Sequence, residues 1–272
     1  MQGMSSSAVP AGARIFSNVS YGSDPRQRLD VYAPAQASNA PVIFMVHGGA
    51  WSFGNKSARG VVENKAARWI PRGFILISID YRMLPDAAPR TQADDVALAL
   101  AFAQRHAREW GGDPAQFILM GHSAGAHLVS LITADADIAR QAGVLPWLGT
   151  VSLDSGALDV PTIMQHRHLP LYDRAFGQDV EAWIAVSPYQ QMHGRIVPFL
   201  AVCSTRRSDS CPQAQQFVAK AASFGAHAKV LPEDFTHEQI NERLGTAGDY
   251  TDDVEAFMRG LSQVVAGALS PQ

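Results

Sequence analysis

Cysteine, long apolar runs and an excess of charge of one sign are all scarce in this chain. Its 272 residues include 2 cysteines, and no stretch approaches the roughly 18 uninterrupted apolar residues that indicate a membrane-spanning helix. The formal net charge of −3 gives no electrostatic footprint for nucleic acid. With 47% hydrophobic and 17% charged residues, the composition is that of an ordinary globular protein. We therefore expect neither a nucleic-acid partner nor a membrane span.

Signals for export and for zinc binding are also missing. The N-terminal segment MQGMSSSAVPAGAR lacks the basic and then apolar pattern of a secretory signal, so a cytoplasmic location is expected by default. Cys203 and Cys211 have no further ligands at zinc-like spacing. The pair fits two reduced thiols in the cytoplasm, and equally a disulfide in a periplasmic or secreted protein whose signal has been trimmed.

Short apolar segments alternate with amphipathic ones along the chain. The runs at 42–46 and 117–120 are continuously apolar, and the run at 74–79 has Ser78 as its one polar residue, as is typical of strands buried on both faces. Helical spacing recurs between them, which is typical of a mostly parallel sheet with helices on both faces. The sequence therefore predicts an α/β fold in one domain spanning 1–272, with an insertion at 156–192 that frames a pocket.

The pentapeptide at 121–125, GHSAG, has the form G-x-S-x-G. An apolar strand leads directly into it and an apolar helical stretch follows. In so sharp a strand-to-helix turn, flanking glycines avoid the clashes that Cβ atoms would cause, and the turn raises the serine hydroxyl above the carboxyl edge of the sheet. We predict that Ser123 is a nucleophile, in preference to a serine in a plain turn.

A glycine-rich loop, HGGAW at 47–51, follows the first continuously apolar strand. A serine that attacks a carbonyl carbon needs N–H donors for the oxyanion that develops. The predicted donors are the backbone N–H groups of Gly49, Ala50 and Ala124, the last because it follows the nucleophile.

Other residues of this loop have different predicted roles. Gly48 is expected to shape the loop, and His47 to brace it through a hydrogen bond and not to act as a base. Trp51, Leu169 and Tyr172 are predicted to line the substrate pocket.

The serine hydroxyl needs a base, and the base needs a carboxylate that fixes its tautomer. After a G-x-S-x-G turn the chain order is Ser, then Asp or Glu, then His. His237, on the loop after the last predicted strand, is the predicted base. Asp209, which follows the buried strand at 197–202, is the predicted acid. Asp234 is the alternative, disfavoured because it lies only three residues before His237 on the same loop.

Four segments carry a resemblance to a known family. They are HGGAW at 47–51, DYRMLP at 80–85, GGDPAQFILMGHSAGAHL at 111–128 and FTHEQINERLG at 235–245. In these the chain resembles the α/β-hydrolase esterases related to hormone-sensitive lipase, especially the arylformamidase (kynurenine formamidase)-like branch. The resemblance implies an α/β-hydrolase fold, a triad of Ser123, Asp209 and His237, an acyl-enzyme mechanism, and neither a metal nor an organic cofactor.

The sequence thus predicts a serine carboxylic-ester hydrolase that acts on small to medium acyl esters. An amidase of the arylformamidase type is the alternative, because the same site serves both leaving groups. An inactive binding module on this scaffold is a third hypothesis, disfavoured by the intact nucleophile, base and glycine loop. The expected partner is a small-molecule ester, and the sequence predicts no particular oligomeric state.

Overall fold

The computed structural model describes residues 9–270 and has one eight-stranded sheet at its centre. Residues 1–8, where most of the N-terminal segment assessed for export lies, are outside the described part of the chain. The strand order is β1-β2-β4-β3-β5-β6-β7-β8. The strands are β1 Arg14–Ser20, β2 Arg28–Ala33, β3 Ala40–Val46, β4 Ile75–Ile79, β5 Gly112–His122, β6 Gly149–Leu153, β7 Phe199–Ser204 and β8 Ala228–Glu233.

Strands β1 and β2 form an antiparallel edge, and β2 pairs antiparallel with β4. The pairings from β4 through β3, β5, β6 and β7 to β8 are all parallel. All residues of β3, β4 and β6 are buried, as expected of central parallel strands that are covered on both faces. The predicted mostly parallel α/β sheet is confirmed.

Helices fill the crossovers and cover both faces of the sheet. They are α1 Arg59–Trp69, α2 Pro89–His106, α3 Ala124–Ala134, α4 Ala136–Ala142, α5 Val160–Met164, α6 Pro170–Phe176, α7 Val180–Ala185, α8 Pro188–Gln191, α9 Ser210–Ser223, α10 His237–Arg243, α11 Asp249–Arg259 and α12 Gln263–Ala268, with a 3-10 turn at Ala107–Trp110. Alternate side chains of β3 point to opposite faces: Phe44 packs in the core with α2 and α3, and Ile43 packs with α1 and α11.

The carboxyl ends of the parallel strands meet at one edge of the sheet, where the predicted site residues lie. Between β6 and β7 the chain forms the four short helices α5 to α8 in the region predicted as an insertion. A disulfide joins Cys203 in β7 to Cys211 in α9. Among residues 9–270, no helix has the length and apolar character to cross a membrane.

Candidate active site

Ser123 lies at the turn between β5 and α3, where the backbone is strained. Its φ is 56° and its ψ is −118°, a region that residues with a side chain rarely adopt. The flanking glycines make the turn feasible. A Cβ on Gly121 would lie 2.4 Å from the Gly125 carbonyl oxygen, and one on Gly125 would lie 2.2 Å from the Val46 carbonyl oxygen. The G-x-S-x-G pattern therefore follows from close backbone packing around Ser123, which is half-buried.

His237 lies against the nucleophile. Its Nε2 is 2.8 Å from Ser123 Oγ, a distance at which the hydroxyl donates a hydrogen bond to the ring. His237 is the first residue of α10, and a capping box between Thr236 and Gln239 fixes the start of that helix. The predicted pair of serine and histidine is thus brought together by the structure.

The carboxylate on His237 is that of Asp154, and not that of Asp209. His237 Nδ1 lies 2.6 Å from Asp154 Oδ2. Asp209 is instead bonded to Arg207, at 3.0 Å from Nη2, and Arg207 lies between Asp209 and Asp154. The alternative acid, Asp234, forms an ion pair with Arg206 at the surface.

Sheet topology gives the physical reason for this correction. β6 is the immediate neighbour of β5, and Leu153 pairs with His122. Ser123 directly follows the last residue of β5, and Asp154 directly follows the last residue of β6. The two residues therefore emerge from adjacent strand ends. The prediction of Asp209 assumed an acid after the later strand β7. The usable signal was an aspartate directly after the short segment VSL at 151–153, which ends β6.

Asp154 is fully buried, and every part of its carboxylate is paired. Oδ1 accepts from the Ser204 N–H at 2.7 Å and from the Ser210 hydroxyl, and Oδ2 accepts from His237 and from Arg207 at 2.9 Å. Burial alone would raise the pKa of Asp154, but the hydrogen bond from His237 and the charge of Arg207 outweigh it and hold the pKa well below its usual range. The group is therefore an anion at neutral pH.

His122, the residue before Ser123, holds the backbone of His237 through a hydrogen bond. Its Nε2–H donates to the His237 carbonyl oxygen at 2.9 Å. Burial lowers the pKa of His122 to about 3, aided by the nearby His237 ring. His122 is therefore neutral near pH 7 and acts as a hydrogen-bond donor to the backbone, a role that the sequence reasoning did not identify.

The glycine-rich loop packs directly on the nucleophile. A Cβ on Gly48 would lie 2.8 Å from Ser123 Cβ, and one on Gly49 would lie 1.9 Å from the Phe53 carbonyl oxygen. Gly49 and Ala50 both have positive φ angles, of 124° and 49°. Ala50 lines a cavity together with Ser123, and Ala124 begins α3, where the first N–H groups of a helix have no partner within it.

His47 braces this loop. Its Nδ1–H donates to the Gly48 carbonyl oxygen at 2.6 Å, its own carbonyl oxygen accepts from the Tyr81 hydroxyl at 2.9 Å, and the two rings stack. The Ser123 hydroxyl donates to His237 and has no hydrogen bond to His47.

A cavity of about 130 Å³ opens beside Ser123 and His237. The three predicted pocket residues, Trp51, Leu169 and Tyr172, all line it. Trp51 is held in place by a hydrogen bond from its Nε1 to His127 Nδ1 at 3.1 Å. Leu169, Tyr172 and Arg207 also line a larger groove of about 660 Å³ that begins next to the cavity.

No group of three or more histidine, cysteine, aspartate or glutamate side chains within the described range, 9–270, is arranged to hold a metal ion. The chemistry that this arrangement can perform is acyl transfer: a serine with a base in contact, a buried carboxylate that orients the base, and a loop beside the serine whose N–H groups are available.

Comparison with known proteins agrees with this reading of the geometry. Residues 29–145 match the BD-FAE family. The chain is 34% identical over 114 residues to the isoprenylcysteine alpha-carbonyl methylesterase ICME of Arabidopsis thaliana, covering 42% of this chain and 26% of that protein. It is 30% identical over 203 residues to esterase LipC of Mycobacterium tuberculosis, covering 69% of this chain and 50% of that protein.

The chain thus spans at most half the length of these curated relatives. Among solved structures, esterase B from Lactobacillus rhamnosis superimposes with a TM-score of 0.75 at 20% identity, covering 95% of this chain and 88% of the other. At that identity the likeness establishes the fold, which is the α/β-hydrolase fold.

Proposed function

We propose that this chain, which is similar in sequence and fold to α/β-hydrolase esterases, is a serine carboxylic-ester hydrolase of the kind related to hormone-sensitive lipase. The observation that carries the proposal is the unbroken series of contacts from Ser123 Oγ to His237 at 2.8 Å and from His237 to Asp154 at 2.6 Å. This is the arrangement of nucleophile, base and orienting acid that acyl transfer requires.

Each residue has a defined role in the proposed reaction. Ser123 Oγ attacks the ester carbonyl carbon while its proton passes to His237 Nε2, and Asp154 stabilises the imidazolium that forms. The negative charge on the carbonyl oxygen is taken up by the backbone N–H groups of Ala124, Ala50 and Gly49.

The intermediate then collapses to release the alcohol. His237 gives its proton to the leaving oxygen, and an acyl-enzyme remains on Ser123. Water, activated by His237 as base, hydrolyses this ester and regenerates the serine.

The volume beside the nucleophile supports a short acyl group. A cavity of about 130 Å³ lies well below the roughly 300 Å³ at which pockets for drug-sized ligands begin. Tyr172 and Trp51, both almost fully buried, form firm walls. We therefore expect the acyl part to be small and the larger groove of about 660 Å³ to accept the rest of the substrate.

The nucleophile assignment is tested with a fluorophosphonate probe, which phosphonylates activated serines. Wild-type protein should be labelled on Ser123, as located by peptide mass spectrometry, and Ser123→Ala should not be labelled. Ser155→Ala, a second serine beside the cavity, is the matched control and should label normally. Labelling of a different serine in wild-type protein contradicts the proposal.

A substrate panel tests the reaction itself. Turnover of p-nitrophenyl acetate and butyrate should exceed that of the octanoate, because the longer chain does not fit the cavity. N-formylkynurenine, included because amide cleavage was the alternative expectation, should be hydrolysed far more slowly than the short esters. A preference for that formamide over every ester overturns the proposed reaction.

The disulfide bears on location. A bond between Cys203 and Cys211 persists in oxidising compartments, which favours a periplasmic or secreted enzyme over the cytoplasmic one expected by default. Alkylation of freshly lysed, unreduced cells followed by mass spectrometry tests this: two alkylated thiols point back to the cytoplasm.

A further inference from the structure

The Arg207 side chain touches both His237 and Asp154. Its Nη1 lies 2.9 Å from Asp154 Oδ2, 3.2 Å from the Asp154 carbonyl oxygen and 2.9 Å from His237 Nδ1. The mechanism proposed above assigns it no role. Yet a half-buried guanidinium at this distance from the imidazole changes the electrostatics of proton transfer.

Two donors converge on one oxygen of the acid. When Ser123 donates to His237 Nε2, the ring carries its other proton on Nδ1, which then donates to Asp154 Oδ2. Nδ1 has no free lone pair in that state, so the Arg207 Nη1–H groups bond to Asp154 and not to the ring. Arg207 therefore fixes the carboxylate in the position from which it orients the imidazole.

Arg207 is itself held from its other side. Nη2 bonds to Asp209 Oδ2 at 3.0 Å. Arg207, Asp209 and the Tyr172 hydroxyl all lie beside Gly156. A Cβ on Gly156 would be 2.6 Å from Arg207 Nη2, 2.7 Å from Asp209 Oδ2 and 2.8 Å from the Tyr172 hydroxyl oxygen. The absence of a side chain at Gly156 leaves the space that this cluster fills.

We propose that Arg207 is a positioning residue of the active site, which holds the Asp154 carboxylate on His237 while Asp209 holds Arg207. The inference deepens, and rests on, the serine-hydrolase function proposed above. A pair of opposite charges in the loop after β7 thus supports an acid that follows β6.

The pH dependence of the site follows from the groups that face His237. These are Asp154 after β6, Arg207 with Asp209 behind it, His122 at the end of β5, and Tyr172 of α6. Burial lowers the pKa of His122 to about 3 and, with Asp209, raises the pKa of Tyr172 to about 12. Neither changes charge between pH 5 and 9, so the acidic limb of the rate profile reports the base in the field of Asp154 and Arg207.

The experiment measures the rate of fluorophosphonate labelling of Ser123 from pH 5 to 9. In Arg207→Gln the rate at pH 7 should fall roughly 100-fold, as expected for a catalytic group misplaced by about 1 Å. The acidic limb should also move to higher pH, because the cation that opposes the imidazolium is gone. A purely structural role would not move this limb.

Two further variants separate charge from geometry. Arg207→Lys keeps the cation but loses the fork that spans both carboxylates, so the rate should fall while the limb stays near its wild-type position. Asp209→Asn removes an anion from behind Arg207, so it should give a smaller loss and no upward movement of the limb. Arg206→Gln, which changes an exposed neighbour paired with Asp234, is the matched control.

The outcomes distinguish this inference from the function it rests on. Wild-type protein that is not labelled at Ser123 defeats the proposed function. A different result contradicts the role of Arg207 alone. In that case wild-type protein is labelled normally, and Arg207→Gln, shown to be folded by circular dichroism, has the wild-type labelling rate and the wild-type acidic limb. If Arg207→Gln does not fold, a wild-type labelling rate in Arg207→Lys contradicts the role of Arg207 instead. A loss of labelling rate in Arg206→Gln equal to that in the Arg207 variants contradicts it as well.

Discussion

Asp154 has a backbone as unusual as that of the nucleophile. Its φ is 56°, and its N–H donates to the Val202 carbonyl oxygen at 2.8 Å. The residue thus turns out of β6 while still tied to β7, and its carboxylate points to His237. Strain of this kind persists where surrounding contacts over-determine the conformation, and here five hydrogen bonds to the residue, from Ser204, Arg207, Ser210 and His237, do so.

Replacing the acid should show which carboxylate serves the base. In Asp154→Asn, kcat for p-nitrophenyl butyrate should fall by about 10⁴-fold, because an amide no longer fixes the productive tautomer of the histidine. Asp209→Asn should lose far less, since Asp209 acts only through Arg207.

Asp234→Asn is the control for this comparison. Asp234 is exposed and paired with Arg206, so the substitution should leave kcat unchanged. A larger loss in Asp209→Asn than in Asp154→Asn would return the acid to the position first predicted from the sequence.

At the level of elements, the loop between β7 and α9 is the segment on which the site most depends. It carries Arg207 and begins the helix whose Ser210 hydroxyl bonds to Asp154. The disulfide between Cys203 and Cys211 closes this loop, with a Cα–Cα distance of 5.1 Å. Loop closure of this length stabilises a fold by about 2–3 kcal/mol in the chain-entropy model.

Loss of the disulfide should therefore weaken both stability and activity. The double variant Cys203→Ser, Cys211→Ser should lose about 2–3 kcal/mol of unfolding free energy in urea, and its kcat should fall because the loop no longer fixes Arg207. Reductant should have the same effect on wild-type protein and none on the variant. Equal stability of wild type and variant contradicts this expectation.

The strands and the strand-to-helix turn at Ser123 could be predicted because their signals are local. A strand that is buried on both faces has a continuous apolar run such as 42–46. The turn at Ser123 requires glycines two residues before and two residues after the serine. His237 followed from its place after the last strand. These features depend on neighbours within a few residues along the chain.

The acid could not be predicted, because its identity depends on which strand end faces His237. Asp154 and Asp209 both follow buried strands in the chain order expected of an acid. What separates them is Arg207, which occupies the space between Asp209 and the base. The pairing of the two cysteines was left open for a related reason: it depends on a distance between β7 and α9 that the sequence does not encode locally.

Over the whole molecule, three of the described histidines, His47, His122 and His127, are buried with a lowered pKa and make stability sensitive to acid. Burial lowers the pKa of His122 to about 3 and that of His127 to about 4. His127 is neutral in a fixed tautomer, since its Nε2–H donates to the Val186 carbonyl oxygen at 2.7 Å and its Nδ1 accepts from Trp51. Below their ordinary pKa of 6.5, the unfolded chain takes up protons that the folded chain does not.

The unfolding free energy should therefore fall as the pH drops from about 6.5 toward 4. Each histidine contributes a slope of up to about 1.4 kcal/mol per pH unit, measured as urea unfolding at a series of pH values. His127→Gln should be less stable at pH 7 but show a shallower slope. His166→Gln, at an exposed position, should keep the wild-type slope, and an unchanged slope in His127→Gln would contradict the assignment.

The adjacency of β5 and β6 has a consequence for recognising such enzymes. The carboxyl ends of parallel strands lie at the same edge of the sheet. The segment that carries His237 can therefore contact an aspartate that follows β6 or one that follows β7, and the order Ser, Asp, His along the chain is the same for both. A motif search that demands an aspartate after the seventh strand would pair Ser123 with the wrong partner here. Had Asp209 been absent, the same search would have discarded a complete site as inactive.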